Sequence, residues 1–152
     1  MITYVKSHPE DFEELITLAM GDKPIYSWRA SWLLWSVIEK NDPRVRKHTE
    51  KIIELLPAKP DNQLRELMKT LQVMEISEDY EGILFDICLT TWESTDKQPS
   101  VRSNAFKLMA GIVKNHPELA KELFYVTSPH YLDSLSPGVK RSITKITEQL
   151  KK

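Results

Sequence analysis

Apolar residues recur at i, i+3, i+4 and i+7 almost throughout the chain, and no useful length alternates with period two, so the pattern predicts an all-α protein. Phe12, Leu15, Ile16 and Ala19 make the first helix. It starts at Ser7 or His8 with Pro9, Glu10 and Asp11 in its opening turn and ends at Gly21. Pro24 opens a second helix that runs through Trp28, Trp32, Trp35 and Ile38 to Asn41. The pairing then repeats. Asp42-Pro43 starts a helix carrying Val45, Thr49, Ile52 and Leu56, and the segment from Pro57 to Pro60 breaks it. Asp61 leads into Leu64, Leu67, Met68, Leu71 and Met74. A third pair starts at Ser77 and Pro99. A fourth starts at Pro117 and Pro137, with an irregular stretch from Ser128 to Ser136 between its helices.

The second helix of every pair carries an apolar-basic step: Trp28-Arg29, Leu64-Arg65, Val101-Arg102 and Val139-Lys140, spaced 36, 37 and 38 residues apart. Four residues after each apolar member stand Trp32, Met68, Ala105 and Ile143, and three further on stand Trp35, Leu71, Leu108 and Ile146. These positions share one helix face, so each second helix presents the same stripe to its neighbours. A period in the thirties built from helix pairs is the signature of a solenoid, in which a unit buries its apolar side only by stacking on the next. The expected repeats are approximately 8–41, 42–75, 77–115 and 116–152, in one domain spanning 1–152.

The best copy of the step, from Pro99 through Val101, Arg102, Ala105 and Phe106 to Leu108, resembles the second-helix pattern of the HEAT-repeat (armadillo-like) family. The resemblance implies a right-handed α/α superhelical solenoid of about four helix pairs, with Asp96 and Arg102 at the family's inter-repeat acid-base ladder. Trp28 and Trp32 are bulkier than the family's usual residues, and Met68 replaces alanine. Tetratricopeptide repeats fit less well, because their period is about 34 residues and their small-residue pattern is different. The family is a scaffold class, so the resemblance implies surfaces for partners and no reaction.

Charge adds a direction. The formal net charge is -1, which disfavours nucleic acid as partner of the whole molecule. Its distribution is uneven: residues 75–96 carry seven acids and no base, while from Lys97 onward ten bases face four acids. With the basic cluster Lys40, Arg44, Arg46, Lys47 and Lys51, this keeps open an alternative reading as a nucleic-acid binder, similar to the HEAT-like DNA alkylation-repair glycosylases. That family's catalytic aromatic and acidic residues match no motif here.

Candidate chemistry is sparse, and no catalytic, cofactor or metal site is expected. The histidines show no His-x-x-x-His or Glu-x-x-His spacing, and glycine-rich phosphate loops and serine-nucleophile motifs are absent from the sequence. Cys88, alone and among apolar neighbours, reads as a core thiol in a reducing compartment. No apolar run approaches the roughly 20 residues that span a bilayer, and residues 1–9 lack a signal-like core, so the expected location is cytoplasmic, without a membrane partner.

The remaining candidates for function concern partners. Helix 24–40 is apolar all round: Trp28, Trp32 and Trp35 occupy the stacking stripe, while Leu33, Leu34 and Val37 lie nearly opposite. Either the first helix and residues 1–7 cover that second side, or it is left as a patch for a protein partner or a second copy. The basic residues Arg44, Arg46 and Lys107 complete the candidate partner-binding set. The last helix, with Val139, Ile143, Ile146 and Leu150 on one stripe and polar residues elsewhere, has the amphipathicity of a solenoid cap.

Overall fold

The computed structural model describes residues 9–152. Among them there are ten α-helices, three single turns of 3-10 helix and no strand. They form two compact units, Met1–Tyr80 and Glu81–Lys152. The expected helix start at Ser7 or His8, and the cover of residues 1–7 over helix 24–40, lie outside the described residues.

In the first unit, α1 (Phe12–Met20) and α2 (Pro24–Val37) form a hairpin, and α2 also packs on α5 (Asp61–Gln72). Phe12, Ile16 and Ala19 are buried at helical spacing along α1, as its pattern predicts. The end of α1 is held from a distance. The Gln63 side-chain amide donates to the carbonyls of Ala19 and Gly21, both at 2.8 Å, and the Lys59 ammonium donates to Gly21 O at 3.0 Å. These bonds satisfy carbonyls that a helix C-terminus leaves without partners. Lys59 also pairs with Asp22 at 2.7 Å. The Lys59 side chain is 2% exposed and therefore needs that partner.

Helix α2 stops at Val37, four residues before the expected end at Asn41. The residue before a proline is driven out of helical geometry, and Asp42 precedes Pro43 with ψ 122. Asn41 turns the chain with a φ of 49, in the left-handed region that asparagine tolerates better than most residues. Its N–H donates to Val73 O at 2.6 Å, and its side-chain oxygen accepts from the Glu75 N–H at 3.2 Å.

The helix expected from Pro43 to Leu56 is two pieces, α3 (Pro43–Arg46) and α4 (Thr49–Leu55), followed by a 3-10 turn over Leu56–Ala58. The tight turn between them, His48 N–H to Val45 O at 2.8 Å, is fixed by Lys47 and His48, whose side chains both reach Glu13 on α1. The predicted stripe survives the break, since Val45, Thr49, Ile52 and Leu56 are all buried.

Asp42 caps α3. One carboxylate oxygen accepts from the Arg44 N–H at 3.0 Å and from Arg44 Nε at 3.1 Å, while the other accepts from Arg44 NH2 at 2.8 Å. The Arg44 side chain holds this carboxyl below its ordinary 3.8. A lowered folded value means the contribution is present above pH 3.8 and lost as pH falls through the folded value. Asp42→Ala is expected to cost about 1–2 kcal/mol near neutrality. Urea denaturation of wild type and variant at descending pH should show the gap closing in acid.

The second unit is built on α7 (Pro99–Asn115), which packs on α10 (Pro137–Lys151) and α8 (Ala120–Tyr125). Val101, Ala105 and Leu108 are buried together with Phe106, Met109, Ala110 and Val113, as expected of an internal helix. From α6 (Glu78–Glu93) comes Trp92, fully buried, with its indole N–H on Val126 O at 2.8 Å and its ring 4.9 Å from that of Phe106. Cys88 is buried on the same helix, and burial raises its thiol pKa far above the ordinary value, which makes it an inert core residue. One turn of helix, α9 (Pro129–Leu132), lies within the stretch expected to be irregular. Ser136 caps α10, accepting from the Val139 N–H at 3.4 Å, and Ile143 is the buried centre of its stripe.

The acid-base ladder expected between Asp96 and Arg102 does not form. Asp96 is exposed, whereas Arg102 is fully buried and donates to neutral oxygens: Trp92 O at 2.8 Å, Tyr131 O at 2.7 Å and Ser134 Oγ at 3.0 Å. Its guanidinium lies 4.5 Å from the centre of the Trp92 ring. Burial lowers its pKa, and the three acceptors with the ring face stand in for the missing carboxylate.

Candidate interaction surface

Helix α2 turns a narrow side outward. Ile25, Arg29 and Trp32 follow one another at i, i+4 and i+7, so they line one edge of the helix. Ile25 is 58% exposed and Trp32 48%, and the neighbouring Tyr26 is exposed as well. Exposure of single apolar residues is ordinary, whereas three large ones on one helix form a patch. Trp28 and Trp35 flank the patch half-buried. The helix carries no acid, and α5 beside it adds the partly exposed Arg65 and Lys69. Both reach the buried Glu66 carboxylate, at 3.2 Å and 3.6 Å.

The other side of α2 is closed. Leu34 has no exposed surface, and Leu33 and Val37 are each 6% exposed. These three were candidates for an exposed patch. Instead they belong to the core, because α2 is packed on both α1 and α5. The docking candidate on this helix is therefore the tryptophan side itself, extended to Ile25 and Tyr26, two residues outside the candidate set drawn from the sequence. The signal was present in the spacing of Ile25, Arg29 and Trp32, but a stacking stripe and a solvent-facing stripe have the same periodicity.

The basic candidates of the first unit, Arg44 and Arg46, are engaged elsewhere in it. Arg44 is spent on Asp42 and lies 4.2 Å over the Phe12 ring. Arg46 is exposed and donates to Asn41 O at 3.1 Å. Lys107 is exposed on α7, in the second unit. An open cleft of about 660 Å³ lies at the end of α2, lined by Val37, Glu39, Asp42 and Arg44 among others. Its one guanidinium is already paired, so the cleft offers no free cation to a phosphate. Among the described residues, no group of three or more His, Cys, Asp or Glu side chains is placed to hold a metal ion.

Two ion pairs repeat between the units. Glu13 accepts from His48 at 2.9 Å, and Glu81 meets His116 at 3.1 Å, each pair being 35 residues apart in sequence. The two glutamates are 68 residues apart, as are the two histidines, so the same pair recurs at one offset in both units. Each pair ties the first helix of its unit to the residue just before a later helical segment, His48 before α4 and His116 before the 3-10 turn Pro117–Leu119. Lys47 and His48 together hold the Glu13 carboxyl below its ordinary 4.5. Glu81 foremost, with Glu118 3.4 Å from the other ring nitrogen, raises His116 above its ordinary 6.5. A raised folded value means the pair stabilises fully below pH 6.5 and loses its effect as pH rises through the folded value. Wild type and His116→Gln should therefore differ most in urea midpoint at mildly acidic pH and converge in alkali. NMR titration of the His116 ring should give a midpoint above 6.5.

A family model described as a HEAT repeat domain matches residues 1–150. No curated protein and no solved structure matches the chain. Among the described residues, no helix is long and apolar enough to cross a membrane.

Proposed function

The chain belongs to the HEAT-repeat family, and on that premise we propose that it is a non-enzymatic interaction module that docks a protein on the outward side of α2. HEAT repeats generally serve as protein-interaction scaffolds. The observation that carries the assignment to this surface is the half-exposed Trp32, in line with Ile25 and Arg29, on a helix whose other side is core. Tryptophan, arginine and tyrosine are the residue types that dominate binding energy at protein interfaces. In this reading the chain is one cytoplasmic domain of four helix pairs, with repeats near 8–41, 42–75, 77–115 and 116–152, wound as a right-handed solenoid. Trp28 and Trp35 support the rim of the patch.

The test is capture of partners from native lysate, quantified for wild type, Trp32→Glu and Tyr125→Glu. Tyr125 is 84% exposed in the second unit and controls for a bare surface aromatic. Proteins held by wild type and Tyr125→Glu should fall by at least about tenfold with Trp32→Glu. Equal recovery by all three proteins, or recovery of nothing, contradicts the assignment.

A further inference from the structure

We propose that the occupant of the α2 patch is a second copy of this chain, which presents the acidic outer side of its α6. This rests on the reading of α2 as a docking surface and gives the partner a chemistry.

Helix α6 lies in the segment 75–96 that carries seven acids and no base. Its exposed side includes Asp79, Ile83, Asp86, Thr90 and Glu93, and Ile83 is 49% exposed, the one large apolar side chain standing out among the acids. The α2 side has the opposite make-up: Ile25, Arg29 and Trp32, with no acid on the helix, and beside it on α5 two bases, Arg65 and Lys69, that share the single buried Glu66 carboxylate. Neither Arg29 nor Asp86 makes an ion pair among the described residues, so both charges are open to an outside partner.

The spacings also agree. Ile83 and Asp86 are three residues apart, and so are Arg29 and Trp32, which puts each pair on one helix edge. If the helices run antiparallel with Ile83 seated on Trp32, Arg29 comes opposite Asp86. If they run parallel with Ile83 against Ile25, Arg29 again falls within one residue of Asp86. The Arg29–Asp86 pair is thus common to both directions, and an apolar contact lies next to it in each. Arginine suits this role, because its planar fork bonds a carboxylate in two places and stacks on aromatic faces. The two surfaces differ, so the contact is heterologous: exchanged between two copies it closes a dimer, and passed on it makes a ring or a chain.

The test is sedimentation equilibrium of the full chain from micromolar to millimolar concentration, at low and high salt. Wild type should show a mass that rises above one chain with concentration, and less so in high salt, as expected for partly exposed charges. Arg29→Asp and Asp86→Arg place like charges together, and each should weaken association by about tenfold. The chain carrying both exchanges restores opposite charges across the contact and should recover most of it. Both sites are exposed, and circular dichroism should show every variant folded. A chain that stays monomeric at millimolar concentration and low salt overturns the proposal. So does a double exchange that associates no better than the single ones. If Trp32→Glu abolishes capture of another protein while wild type stays monomeric in sedimentation, the docking surface stands and its self-association falls.

Discussion

Arg102→Ala is expected to lower the stability of the protein by about 3–5 kcal/mol, the largest loss from any single substitution considered. Arg102 has no exposed surface, and its guanidinium serves Trp92 O, Tyr131 O and Ser134 Oγ at once. Removing it leaves two main-chain carbonyls without these donors, takes the cation from the face of Trp92 and opens a void beside that ring. Arg102→Lys keeps the charge, but a single ammonium cannot reproduce a planar fork spread over three acceptors, so it should recover only part of the loss. Arg102→Met refills the space without donors and should fall between alanine and wild type. Urea denaturation followed by tryptophan fluorescence would measure all three. An alanine variant as stable as wild type would show that the buried arginine does not hold the second unit together.

In the first unit, Leu34→Ala should cost about 2–5 kcal/mol, whereas Trp32→Ala should stay within about 0.5 kcal/mol of wild type. The two residues are two positions apart on α2, yet one has no exposed surface and the other is 48% exposed. Leu34 lies almost opposite Trp32 around the helix and is surrounded by core, so alanine leaves a cavity there. Trp32 gives up only contacts along its inner edge. The order of the two costs is informative, because an α2 that turned Leu33, Leu34 and Val37 to solvent would reverse it. Equilibrium unfolding of the two variants measures that order directly.

Much of the architecture was legible because it rests on local rules. Prolines at the starts of helices and apolar residues at helical spacing mark the elements, and the stripe of Val101, Ala105 and Leu108 is buried as its spacing predicts. The HEAT-repeat resemblance agrees with the family match. What was not legible depends on partners distant in sequence. The four basic residues of the repeated step look equivalent, yet Arg29 is exposed, Arg65 partly exposed and Arg102 completely buried. The acid near Arg102 is a poor guide, since the arginine reaches carbonyls of residues 92 and 131. Lys59 reads as a surface lysine between two prolines until the exposed carbonyl at the end of α1 needs a donor. Whether the second apolar side of α2 was core or patch was settled by its packing on α1 and α5, and periodicity contains no term for that. The Glu–His ties are present in the sequence as two matching offsets of 68 residues, but taken alone His48 looks like one residue of a basic helix and His116 like a loop residue beside a proline.

Hydroxyl-radical footprinting of the intact chain reads out whether this protein associates through the outward side of α2. The protein is labelled dilute and then in the complex it forms, whether with itself or with a captured protein. Ile25, Tyr26 and Trp32 should label strongly when dilute and lose most of that labelling in the complex, while Tyr125 labels equally in both. Unchanged labelling of Trp32 in a formed complex, with protection elsewhere, would put the interface on another surface and not on α2.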